Sequence, residues 1–203
     1  MGVIGLKKGE PDHTADPDVA LMLACREGDE EAFVTLFHKY RERLFNFCRR
    51  LLSDRAVAEE ATQEVFLKLY AARERYRPES RFSTYLYRIA KNHCLNLRAR
   101  REHTLVDRST DAAAEPTTTA APDLATEQAE LRHALERALA NLPATQATAL
   151  VLCQYEGMSQ EEVANVLEIS ESAVKSLVFR ARQTLMELLR PELAEGKVHH
   201  AVP

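Results

Sequence analysis

The stretch MSQEEVANVLEISESAVKSLVFRARQTL, from Met158 to Leu185, decides the fold. Ser159 with Glu162 three residues on has the form of a capping box, and Val163, Ala164 and Leu167 supply the buried side of a short helix. Glu168, Ile169 and Ser170 make a tight turn, with Ile169 pointing inward and Ser170 placed to cap a second helix. On that second helix Val174, Leu177, Val178, Ala181 and Leu185 share one face. Ser172, Lys175, Ser176, Phe179 and Gln183 share the opposite face, flanked by Arg180 and Arg182. The pattern predicts a helix-turn-helix. A cation, hydroxyls and an aromatic on an exposed helix suit the major groove, where Lys or Arg reaches guanine acceptors and Phe contacts a thymine methyl. An ordinary antiparallel helix pair is the plainer alternative, and it leaves Phe179 at a wet position without a reason.

Toward the amino terminus, Leu131, Leu135, Ala138 and Leu142 keep a helical period, Pro143 interrupts it, and Ala147, Leu150 and Val151 begin another helix that stops at Gly157. A helical domain is therefore expected over residues 127–190, followed by a tail over 191–203. Before it, residues 103–126 read HTLVDRSTDAAAEPTTTAAPDLAT, rich in Ala, Thr, Pro and Asp and without apolar periodicity, as in a flexible linker.

A second helical domain is expected over residues 18–102, after a polar leader over 1–17. Phe33, Leu36, Phe37, Tyr40, Leu44, Phe47, Cys48 and Leu51 make one stripe of a helix near 29–52. After Ser53-Asp54, a plausible cap, Val57, Ala61, Val65 and Leu69 make a second stripe, with Glu59, Glu60, Gln63 and Glu64 largely on other faces. Past the break at Arg77-Pro78, Phe82, Tyr85, Leu86, Ile89, His93 and Leu97 form the stripe of a third long helix. Its other side carries Arg88, Lys91 and Arg98, and Tyr85, Tyr87 and the preceding loop offer stacking surfaces for unpaired bases. Core aromatics and a solvated basic face explain that segment nearly as well.

Bulk composition agrees. The 203 residues are 45% hydrophobic and 29% charged with only six Gly, which lacks the turn punctuation of a sandwich or barrel, so the class is all-α. The net charge of −4 hides an asymmetry. Residues 10–31 carry eight acids against Arg26 alone, whereas residues 73–108 carry ten Lys or Arg against four acids. One face suits phosphate and another a basic protein, unless both are simply solvated. Cys25, Cys48, Cys94 and Cys153 stand singly, without the spacing of a disulfide frame or zinc site, and read as reduced cytosolic thiols. No signal sequence or apolar run long enough to span a membrane is found.

Together these segments resemble extracytoplasmic-function sigma factors over most of residues 18–190. The resemblance runs in order through EEATQEVFLKLY, FSTYLYRIAKN, the Ala/Thr/Pro linker, LPATQATALVLCQYEGMSQEEVANVL and ISESAVKSLVFRAR. It implies two helical domains: a region 2 bundle that binds core RNA polymerase and melts the minus-10 element, and a region 4 helix-turn-helix that reads the minus-35 element. By this resemblance Glu59, Glu60, Gln63 and Glu64 contact the clamp coiled coil of the largest polymerase subunit. Arg77, Arg81, Tyr85, Arg88, Lys91 and Asn92 lie near the melted strand, with the loop over 77–83 similar to the family's specificity loop. Ser172, Lys175, Ser176, Phe179 and Arg180 match the positions that meet the upstream element. Two residues depart: Tyr85, which can still stack, stands where the family usually has Trp, and Leu177 where members often have Arg. The chain ends soon after Leu189, leaving no room for the extra carboxy-terminal domain of some subgroups.

No nucleophile and base pair, metal cluster or phosphate loop is seen, so neither catalysis nor a cofactor is expected. The resemblance also implies an anti-sigma partner, with the chain cytoplasmic and held through that partner at the inner membrane. Two rivals remain at this stage. A free-standing helix-turn-helix regulator would leave the first domain idle, and a helical scaffold or enzyme would draw on His38, His93 or His133.

Overall fold

Aspartates open the first three helices. Asp16 accepts from the Asp18 amide at 3.0 Å ahead of α1 (Pro17–Arg26), whose first residue is proline. Asp29 accepts from the Ala32 amide at 3.1 Å ahead of α2 (Glu30–Leu52), and Asp54 from the Val57 amide at 3.1 Å ahead of α3 (Arg55–Ala71). Each such cap contributes about 1 kcal/mol. The tight reversal between α1 and α2 places Gly28 at φ +101°, a conformation that a side chain would strain. A 3-10 turn at Arg73–Arg75 leads to α4 (Phe82–Arg108), and the second half comprises α5 (Glu127–Ala140), α6 (Ala144–Gln154), α7 (Gln160–Leu167) and α8 (Glu171–Ala194).

The computed structural model describes residues 13–108 and 127–194, with side chains described throughout except at 14, 102–108, 127–133 and 191–194. Every regular element among the described residues is helical. The leader is shorter than the sequence suggested, because His13–Ala15 form a 3-10 turn and Asp16 also accepts from the Phe82 amide at 3.3 Å. Residues 1–12 lie outside the described residues. Of the expected linker, 103–108 continue α4, and 109–126 lie outside the described residues; so do residues 195–203 of the expected tail, whereas 191–194 belong to α8.

In the first half, α2 contributes the fully buried Leu36, Leu44 and Phe47, facing Val65 and Leu69 of α3 and Leu86 and Ala90 of α4. Each large apolar side chain buried in this way contributes about 1.5–3 kcal/mol. In the second half Leu139, Leu142, Val151, Val163, Val174 and Ala181 do the same. The sequence led us to expect two separate interiors. Instead the buried apolar side chains form one connected cluster from Val19 to Leu185. Helix α2 packs on α5 and α6, and α4 packs on α6 and α7.

That docking explains why α4 lacks a clean polar side. Besides Phe82 and Leu86 of the expected stripe, Tyr87, Ala90 and Cys94 are fully buried, so the helix is covered on more than one side. The acidic amino-terminal run is also partly internal. Asp16 and Asp29 serve as caps, and the buried Asp18 carboxylate accepts from Lys39 Nζ at 2.6 Å and from the Tyr40 hydroxyl. Asp18 is therefore withdrawn from the face expected to meet a basic protein, while Asp29 stays exposed.

Candidate nucleic-acid interface

The turn between α7 and α8 is built as its sequence required. Ser159 Oγ accepts from the Glu162 amide at 3.1 Å while Glu162 Oε2 accepts from the Ser159 amide at 2.8 Å, closing the capping box. Glu168 ends α7 in the left-handed region at φ 61°, and Ser170 Oγ accepts from the Ala173 amide at 3.3 Å to start α8. Val174 and Ala181 are fully buried, Leu185 is buried, and Leu177, Val178 and Ile169 are partly so. Opposite them Ser172, Lys175, Ser176 and Arg180 are exposed, and Phe179 is 61% exposed. Ser176 donates to the Ser172 carbonyl at 3.0 Å and Arg180 to the Ser176 carbonyl at 3.3 Å, which lays these side chains along one side of the helix. The result is a dry-backed rod with a cationic, hydroxylated and aromatic front.

The first half presents a different surface. A polar cleft of about 580 Å³ opens where the loop after the 3-10 turn meets α4, lined by Arg75, Arg77, Glu79, Ser80, Tyr85 and Arg88 and closed on one side by Asn165 of α7. Arg77 and Asn92 are exposed, and Tyr85 is half-buried with its ring edge-on to Tyr76 at 5.1 Å. The remaining expected cations meet the second half instead. Arg81 lies 3.4 Å from Glu162, Arg88 donates to the Asn165 carbonyl at 3.1 Å, and Lys91 Nζ lies 3.9 Å from Glu168.

Two expected exposures are corrected. Lys91, read as a strand contact, is only 6% exposed because α7 lies over it, and burial pushes its ammonium below the usual lysine range, with Glu168 pulling back up. Tyr87, read as a stacking surface, is fully buried. Its hydroxyl donates to the Glu156 carboxylate, and burial, reinforced by that carboxylate, holds it above the ordinary tyrosine range.

Sequence reasoning missed the residues that join the halves. Arg43 donates through Nε to Glu156 Oε2 at 3.2 Å and through Nη2 to the Glu156 carbonyl at 3.1 Å. Burial alone would lower the Arg43 guanidinium, yet Tyr87 and Glu156 leave it raised. Arg98, placed on the basic side, donates to the Ala140 and Leu142 carbonyls at 3.2 and 2.9 Å, and Arg49 pairs with Glu136. A usable signal existed: the apolar positions of α4 cover more of its circumference than one stripe, which calls for a second packing partner.

On α3, Glu59, Glu60 and Gln63 are exposed and Glu64 is partly so, and Glu59 pairs with Arg55 at 3.0 Å. Beside them an apolar groove of about 570 Å³ runs between α2 and α3, lined by Phe33, Val34, Phe37, Phe66, Leu67 and Tyr70. His38 is exposed, His93 Nδ1 lies 2.6 Å from Lys68 Nζ, and the His133 side chain lies outside the described ones. Among the described residues no helix is long and apolar enough to cross a membrane.

Comparison with known proteins decides between the rivals. Residues 36–104 match the family model of sigma-70 region 2, and residues 132–185 that of sigma-70 region 4. An RNA polymerase sigma-H factor of Pseudomonas aeruginosa is 35% identical over 192 residues, covering 90% of this chain and 99% of that one. The chain belongs to the extracytoplasmic-function sigma factors. An extracytoplasmic-function sigma-E factor of Haemophilus influenzae is 32% identical, covering 86% and 96% of the two chains. Among solved structures, the sigma factor RpoE of Bartonella quintana, in complex with the anti-sigma factor NepR, superposes with a TM-score of 0.60 at 25% identity over 78% of this chain and 96% of that one. CnrH, solved with the cytosolic domain of CnrY, shares the fold with a TM-score of 0.65 at 24% identity, covering 87% and 99%. As a sigma factor the chain is a transcription initiation factor directing bacterial RNA polymerase to promoters, not an enzyme.

Proposed function

We propose that this sigma factor uses its two ends on two promoter elements while core polymerase holds both. Helix α8 enters the major groove of the upstream, minus-35 element with Lys175 and Phe179 toward base edges and Ser172, Ser176 and Arg180 toward backbone and bases. The polar cleft over the 77–83 loop takes an extruded base of the minus-10 element, with Tyr85 stacking and Arg77, Arg81, Arg88, Lys91 and Asn92 along the opened strand. Glu59, Glu60, Gln63 and Glu64 on α3 meet the clamp coiled coil of the largest polymerase subunit. Linking two weak binding ends through one polymerase raises the effective concentration of each. The two regions correspond to a domain over 18–102 and another over 127–190.

The observation that carries this reading is the exposed front of α8 on a capped and dry-backed helix-turn-helix, with Phe179 61% exposed. Run-off transcription with core polymerase tests it. Transcripts should start at discrete sites only when the chain is added, and the double variant Lys175→Ala, Phe179→Ala should abolish them. A footprint on a palindrome at nanomolar concentration without polymerase would overturn the reading in favour of a free-standing regulator.

The chain is cytoplasmic in this reading and controlled by an anti-sigma factor that covers the same surfaces, held in some settings at the inner membrane. The Bartonella RpoE, solved with NepR, supports a partner of that kind. Purification from native cells should recover it, and recovery of polymerase alone under every stress applied would count against it.

A further inference from the structure

Part of the surface assigned to the opened strand, at Arg81, Arg88 and Lys91, is already met by the chain itself. We propose that α7 and the turn at Glu156 act as a built-in stand-in for DNA phosphate that closes the free chain, with Glu156 as the latch. The proposal rests on the reading of α4 as the strand-binding surface.

Three observations converge. Every group that α7 presents to the cations of α4 and its leading loop is an acceptor: the Glu162 carboxylate toward Arg81, the Asn165 carbonyl toward Arg88 and the Glu168 carboxylate toward Lys91. Asn165 and Glu168 lie at the carboxy-terminal end of α7, where the helix dipole adds negative charge. A strand of phosphates would offer those cations the same chemistry. Second, the Glu156 side chain is 3% exposed, and both of its partners, the half-exposed Arg43 and the buried Tyr87, come from the first half. A buried carboxylate with such partners fixes one docking geometry, and removing a partner leaves an uncompensated charge. Third, the fit is incomplete. Arg88 Nε and Arg98 Nη1 are buried without a hydrogen-bond partner, so closure leaves two guanidinium donors that phosphate could satisfy. Closure is therefore specific in geometry yet open to exchange. An opened strand competes for the same cations, and the helix-turn-helix is released as it binds.

The test uses the full chain without polymerase. Arg43→Glu sets like charges face to face, the swap Arg43→Glu with Glu156→Arg restores the pair, and Glu156→Gln is a milder lesion should the first variant misfold. Far-ultraviolet dichroism checks helix content, X-ray scattering reads the radius of gyration, and anisotropy reads binding of a short single-stranded DNA of mixed sequence. Arg43→Glu and Glu156→Gln should expand the chain and tighten DNA binding by about tenfold or more, the factor by which a rarely populated open state masks affinity, and the swap should reverse both changes. An unchanged radius with intact helices, or a swap that fails to reverse the expansion, overturns the latch. Expansion without tighter DNA binding keeps the latch, overturns the phosphate stand-in, and removes support from the reading of α4 itself.

Discussion

The outer face of α8 and the basic face of α4 are both rich in cations, yet one stands in solvent and the other lies under the second half. Lys175, Arg180 and Phe179 are exposed, whereas Lys91 is buried and Arg88 and Arg98 end on carbonyls of α7 and of the segment joining α5 to α6. The difference lies in what shares the circumference. Behind the front of α8 there is one apolar stripe, satisfied by α5, α6 and α7, so its opposite side is free. Around α4 apolar residues fall on more than one side, and the helix needs partners both in its own bundle and beyond it. A cation in a sequence signals a surface; the apolar residues around it decide whether that surface meets water or protein.

If the two faces differ in this way, damage to α4 should reach stability and damage to α8 should not. The largest effect is expected at Arg98, whose one nitrogen serves two carbonyls of the other half. Arg98→Ala should cost about 2 kcal/mol in urea unfolding, and a neutral result would mean that the docking contributes nothing. Next comes Lys175→Ala. Its stability should stay within about 0.5 kcal/mol of the parent chain, while run-off transcription falls about tenfold, the loss of roughly 1.4 kcal/mol of base-edge contact. A loss of stability there would erase the distinction between the faces. A smaller change should follow Arg50→Ala, whose guanidinium lies 4.0 Å from the Tyr155 ring centroid across the two halves. That contact is worth about 0.5–1 kcal/mol, read as a lowered denaturation midpoint with an unchanged slope.

The smallest effect concerns acid. Burial, with the Lys68 ammonium next to it, holds the His93 imidazole below its ordinary value, so the unfolded chain binds the proton more readily than the folded one. The contribution of neutral His93 is present above the unfolded value of about 6.5 and is lost as pH falls below it. His93→Gln should flatten the acid side of the stability profile slightly. An unchanged profile would show that neither burial nor the neighbouring Lys68 penalises the charged imidazole.

Much of this was legible in the residues alone. Ser159 with Glu162, Ser170, and the Val174-to-Leu185 stripe specify the helix-turn-helix locally, because caps and periodicity act over a turn or two of chain. The helical class and the bundle stripes of α2 and α3 were readable for the same reason. What escaped was pairing at a distance. The sequence offered Tyr87 as a stacking ring and gave no role to Glu156 or Arg43, and only the docking of the two halves brings Arg43 and Tyr87 onto the buried Glu156 carboxylate. The same docking moved Lys91 indoors. The apolar spread around α4 called for a second partner, but nothing within one turn of Glu156 or Arg43 names which one.

The central claim is that the helix-turn-helix covers the strand surface in the free chain and leaves it on the polymerase. Fluorophores at Ala20 on α1 and Arg190 on α8, both exposed and away from the residues assigned to DNA and polymerase, measure it directly as an energy-transfer distance. The account predicts one short distance in the free chain and a longer one after core polymerase and promoter DNA are added. The same distance in both states would contradict it.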